Sequence, residues 1–123
     1  MLDALAAITE EDFQATVVKL ARDFAWIVGY THDARKSETG EPGLRMVHPE
    51  WHRYIVAEVK TETGRLSKGR WNKKGDRWLP GQDEWGVALI ACPGIEYYLW
   101  LPRDWGEIER VLSNPGSGEL SDD

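Results

Sequence analysis

Apolar residues first recur at helical spacing at Phe13, Val17, Leu20, Ala21 and Phe24. Thr9 precedes them as an N-cap, and Glu10, Glu11 and Asp12 put three acids in the first turn, where the positive end of the helix dipole favours them. A helix over about residues 9–24 follows. Ala25 to Tyr30 is rich in aromatic and β-branched residues and reads as a strand, whereas Thr31 to Gly40 lacks apolar alternation and reads as a polar loop closed by Gly40-Glu41-Pro42-Gly43. Leu44 to Val47 is a short strand, and His48 to Arg53 a turn. Tyr54 to Thr61 carries the near-continuous apolar run of a central buried strand, interrupted by Glu58 and Lys60. Residues 64–81, rich in Gly, Lys, Arg and Trp, read as a long connection, which inside a compact domain is usually functional or mobile. Gln82 to Ala91 reads as a helix, Ile95 to Leu101 as a strand, Arg103 to Leu112 as a last helix, and residues 114–123 as a disordered acidic tail. The order α-β-β-β-α-β-α predicts an α/β domain over residues 1–113, a small mixed β-sheet flanked by helices.

Composition narrows the class. Charged residues make up 29% and hydrophobic ones 41%, which opposes both a disordered chain and a membrane protein. The longest uncharged run, Trp85 to Ile95, is far shorter than the roughly 20 residues needed to span a bilayer. Met1-Leu2-Asp3 carries an acid where a secretory signal needs basic residues, so the expected address is the cytoplasm, with no membrane partner. A lone Cys92 cannot form an internal disulfide and is expected to pack at a helix end. The net charge of −6 argues against nucleic acid until its distribution is considered. Between Lys60 and Arg77 lie Lys60, Arg65, Lys68, Arg70, Lys73, Lys74 and Arg77 against only Glu62 and Asp76. Within this window Trp71 and Trp78 alternate with the basic residues, and that pairing of charges for phosphates with indoles for unpaired bases is what a DNA-binding loop needs. The competing reading is a solvated loop whose tryptophans pin it to the body. Gly69 and Gly75 argue for mobility in it.

Period-two alternation puts Glu58 and Lys60 on one face of their strand. Burying an acid and an amine there is costly unless they pair or bind something. Weaker signals are His48 and His52, whose H-x3-H spacing is opposed by Pro49 as a zinc site, and His32-Asp33, a base with an orienting acid. Trp85, Trp100 and Trp105 fall at apolar positions and read as packing residues.

Gly40-Glu41-Pro42-Gly43-Leu44 before a strand, Glu58-Val59-Lys60 ending the next, Thr61-Glu62-Thr63-Gly64-Arg65-Leu66-Ser67 after it, Gln82-x-x-Trp85 opening a helix and Pro102-Arg103-Asp104-Trp105 leading into the last form an ordered set over residues 9–112. This succession resembles the virus-type replication-repair nuclease (VRR-NUC) family of the PD-(D/E)XK nucleases. The resemblance implies a restriction-endonuclease-like core and Mg²⁺- or Mn²⁺-dependent hydrolysis of phosphodiesters in structured or branched DNA by a homodimer. It further implies a setting in phage or mobile-element replication and recombination, in the cytoplasm of a bacterial host. By the same resemblance Glu58, the Val59 carbonyl and Glu10 of the first helix hold the metal, Lys60 handles the attacking water, and Gln82 supports the site. DNA contacts are expected from Arg65, Lys68, Arg70, Trp71, Lys73, Lys74, Arg77 and Trp78. One position departs: the family pattern G-x-P-D-L has an aspartate ligand where this chain has Gly43. Either a nearby acid, Glu41 or Asp33, takes its place, or the loop is offset, or the chain is a catalytically degenerate DNA-binding module.

Overall fold

The computed structural model describes residues 8–31, 40–61 and 64–116. Helix α1 spans Glu10–Asp23, capped by Thr9, whose hydroxyl oxygen accepts from the Asp12 N–H at 3.1 Å. Its buried stripe is Phe13, Val17, Val18 and Ala21. The chain then turns through Ala25, held at φ 70°, and Trp26 folds back into the core, where its indole N–H donates to the Leu112 carbonyl at 2.8 Å. Strand β1 (Ile27–Tyr30) pairs antiparallel with β2 (Leu44–His48), which pairs antiparallel with β3 (Arg53–Val59) in the register Leu44↔Ala57 to His48↔Arg53.

Residues 70–79, expected as part of an irregular connection, instead form a hairpin of β4 (Arg70–Asn72) and β5 (Arg77–Leu79) with Trp71 opposite Trp78. The cause is turn chemistry: Asn72 accepts from the Lys74 N–H at 3.1 Å, and Asp76 takes φ 50°, a region Asn and Asp tolerate. Helix α2 (Gln82–Ile90) follows, then β6 (Glu96–Trp100), which pairs parallel with β3 from Ile55↔Glu96 to Val59↔Trp100. A 3-10 turn (Pro102–Asp104) leads into α3 (Trp105–Leu112). The result is a mixed α/β fold whose main sheet has the order β1-β2-β3-β6, with three α-helices among the described residues.

One sheet face, Leu44, Met46, Ile55, Ala57, Val59 and Trp100, packs on Phe13, Val17 and Ala21 of α1 and Ile108 and Leu112 of α3. Each of the larger aliphatic and phenyl side chains among them contributes about 1.5–3 kcal/mol by leaving water. Alternation sends Tyr97 to the other face, where Gly86 of α2 lies so close that an added Cβ would stand 3.0 Å from the phenol ring. Arg53 ties three elements together: its guanidinium grips both oxygens of Glu96 at 2.6 and 2.7 Å and donates to the Val111 carbonyl at 2.8 Å near the end of α3. Burial alone would raise the Glu96 carboxyl; hydrogen bonds from Arg53 and Tyr98, with the Arg53 charge, bring it below its ordinary value.

One expectation is corrected by the packing. Cys92 is exposed, its thiol against the Ala88 carbonyl, because it falls just beyond the last turn of α2 rather than under it. His48 is buried and stacked on Trp51 at 3.8 Å, with Nε2 donating to the Phe24 carbonyl at 2.8 Å and Nδ1 accepting from the Trp51 N–H at 3.2 Å. Backbone engages both ring nitrogens, so this histidine is a strut for the β2–β3 turn and not a metal ligand. His32, Asp33, Glu62, Thr63 and the tail from 117 lie outside the described residues. No helix of the described residues is long and apolar enough to cross a membrane.

Candidate active site

The site forms where the core strand ends. Lys60 follows the last residue of β3, yet its N–H still donates to the Trp100 carbonyl at 3.0 Å, so the parallel ladder continues one step and keeps Glu58 and Lys60 on one side. Glu58 is only 5% exposed, and its Oε1 has no hydrogen-bond partner. Burial raises its carboxyl from 4.5 to about 7; the Lys60 charge pulls it back, and Glu10 pushes it further up. Lys60 Nζ lies 4.0 Å from Glu10 Oε1, and its side chain is 14% exposed. The first turn of α1 thus brings Glu10 to Lys60 at the end of β3.

Gly43 precedes β2 by one residue. Leu44↔Ala57 is the last pair of the β2–β3 ladder at this end, so Gly43 and Glu58 lie just beyond the same pair. The φ of Gly43 is not positive, and its carbonyl accepts from the Thr31 N–H at 3.1 Å. A Cβ added there would meet Gln14 Oε1 of α1 at 3.0 Å. Gln14 was missed in the sequence, although its place one turn after Glu10 is the signal that would have found it. Of the acids considered as substitutes, Glu41 faces Arg45 at 3.9 Å. Among the described residues no group of three or more His, Cys, Asp or Glu converges as a metal site. Two carboxylates do face Lys60, one of them buried with an unpartnered oxygen. That donor set fits a hard cation of the Mg²⁺ kind, which usually takes one or two protein carboxylates and fills its remaining positions with water and phosphate oxygens. Val59 has its side chain in the core and can join such a site only through its carbonyl. Tyr97 carries a second buried unpartnered oxygen; burial raises its phenol, and the neighbouring Glu58 charge raises it further.

Gln82 opens α2 under the preceding loop: its amide oxygen accepts from the Ser67 N–H at 2.9 Å, and its own N–H donates to the Ser67 hydroxyl at 3.2 Å. These two bonds fix the loop at the start of α2. Gly81 is required there because the backbone of Ser67 to Gly69 crosses directly over it, where any side chain would collide. The hairpin beyond is anchored by Glu84, whose carboxylate accepts from the Trp78 indole N–H at 3.0 Å and from the Gly81 N–H at 3.1 Å. Trp78 is therefore partly a pin, as the competing reading had it, while its ring stays 49% exposed beside Trp71 at 53%. Arg65, Lys68, Arg70, Lys73, Lys74 and Arg77 are all exposed. An open groove of about 800 Å³ starts at Glu10 and Gln14 and runs along α1 past Lys19 and Arg22 to Tyr30.

Comparison of the whole chain with profiles of known protein families, with curated proteins and with solved structures gives no match.

Proposed function

We propose that this chain is a divalent-metal-dependent endonuclease domain for structured or branched DNA, of the VRR-NUC type within the PD-(D/E)XK nucleases. The observation that carries the reading is Glu58: a buried carboxyl with an orphaned oxygen, two residues from Lys60, at the end of a central strand and approached by Glu10 from the first helix. A stable fold gains nothing from such a group, so its presence points to a ligand. The α-β-β-β core followed by α2 and a parallel β6 agrees with the fold the resemblance implies. A Mg²⁺ or Mn²⁺ ion bound by Glu58, Glu10 and the Val59 carbonyl would polarise the scissile phosphate and lower the pKa of a water. Lys60 orients that water and offsets developing negative charge. The exposed basic side chains of the hairpin bind phosphates, and the ring of Trp71, together with the free part of Trp78, stacks on unpaired bases. The homodimer and the phage or mobile-element setting in a bacterial cytoplasm belong to the same proposal; light scattering reads the first.

A second reading is favoured by Gly43 and by the lack of a three-acid group among the described residues: a DNA-binding module that has lost catalysis. One assay separates the two. Purified protein is incubated with branched, single-stranded and linear DNA, with Mg²⁺, Mn²⁺ or a chelator. Metal-dependent cleavage that Glu58→Ala abolishes supports the nuclease; binding without cleavage under every metal supports the module.

A further inference from the structure

We propose that the side-chain amide of Gln14 is an oxygen donor to the metal, in the place that an aspartate at position 43 would fill. The inference rests on the metal-dependent reading above and names a residue that reading did not contain.

Three observations carry it. Gly43 immediately precedes Leu44, whose partner Ala57 is the chain neighbour of Glu58, so it lies at the same end of the β2–β3 pair but has no side chain to offer. Gln14 Oε1 lies 3.0 Å from where a Gly43 Cβ would be, so the amide oxygen occupies the space into which an aspartate there would project. Gln14 also follows Glu10 by one helical turn, and Glu10 is the residue α1 sends to Lys60. The third observation is Glu58 itself, buried with Oε1 unpartnered, a carboxylate oxygen still able to accept a cation at this spot.

Side-chain amide carbonyls are accepted ligands for hard cations, so the exchange of aspartate for glutamine keeps an oxygen in the set while removing a negative charge. Two carboxylates and a neutral oxygen bind a divalent cation more weakly than three carboxylates would.

The test is Mn²⁺ titration of the full chain, followed by calorimetry and by the electron paramagnetic resonance signal of the free ion, without DNA. Gln14→Ala is expected to weaken binding about tenfold, and Gln14→Glu to tighten it by a similar factor. Gly43→Asp is expected to tighten it as well, and in that background Gln14→Ala should have almost no further effect, because the new carboxylate takes the donor's place. Alanine is a good helix former at this half-buried position, and far-UV circular dichroism verifies that each variant is folded. Mn²⁺ binding that depends on Glu58 but is unchanged in both Gln14 variants overturns the Gln14 assignment alone. Absence of Mn²⁺ binding, or binding that Glu58→Ala leaves intact, overturns the metal reading and this inference with it.

Discussion

Replacing Glu58 by Gln should make the metal-free protein more stable above neutral pH while removing its metal binding. The folded carboxyl titrates near 7 instead of 4.5, so the folded state holds its proton more tightly than the unfolded chain does. Below the unfolded value both states are protonated and the group takes nothing from stability. As the pH rises toward 7 the unfolded chain ionises first, and stability falls progressively until the buried carboxylate is itself charged. At about 1.36 kcal/mol per pH unit the full loss is about 3 kcal/mol. A glutamine has nearly the same shape and no charge, but its amide brings donors into a site with few acceptors, which costs about 1–2 kcal/mol. The expected net gain is therefore about 1–2 kcal/mol at about pH 8, and zero or a small loss at about pH 5. Urea denaturation with a chelator present, at both pH values, measures it. Adding Mn²⁺ should then stabilise the wild type by mass action and leave Glu58→Gln unmoved. Equal or lower stability of Glu58→Gln at about pH 8 would show that Glu58 finds a partner in solution, and its burial would no longer point to a ligand.

Lys60→Ala should abolish cleavage and leave metal affinity close to that of the wild type, since the amine serves the water and not the cation; comparable turnover in the variant would remove Lys60 from the chemistry. Neutralising Arg70, Lys73 and Lys74 together should weaken DNA binding and flatten its log-log salt dependence by about 0.7–0.9 for each phosphate no longer neutralised, and an unaltered slope would take the hairpin off the DNA backbone. Gly43→Asp should raise the cleavage rate, the gain disappearing when Glu58→Ala is added. Its φ is not positive, so the backbone accepts the change and only the tip of Gln14 must yield by a few tenths of an ångström. Arg53→Ala should cost about 3–5 kcal/mol in thermal or urea unfolding, because it strips Glu96 of its guanidinium partner and uncouples β3, β6 and α3. A loss under about 1 kcal/mol would mean the pair is worth no more than a surface ion pair.

Local pattern alone determined most of the secondary structure. The Thr9 cap, the stripe from Phe13 to Ala21 and the apolar run of β3 each carry their signal within one element, so α1, β3, α2, β6 and α3 are legible with ends displaced by a residue or two. The two-residue period likewise sets Glu58 beside Lys60 without reference to any other part of the chain. The β4–β5 hairpin was less legible. Its strands are three residues long, and the Trp71–Trp78 pairing is visible only once the Asn72 and Asp76 turn geometry is known.

Tertiary structure decided whatever depends on distance between elements. That Glu10 meets Lys60 and that Gln14 stands against Gly43 come from the way α1 packs on the sheet. The same holds for His48, which a spacing rule pairs with His52 and the packing gives to Phe24 and Trp51. The physical reason is that backbone periodicity acts over a few residues, whereas the burial that raises Glu58 is a property of everything packed around it.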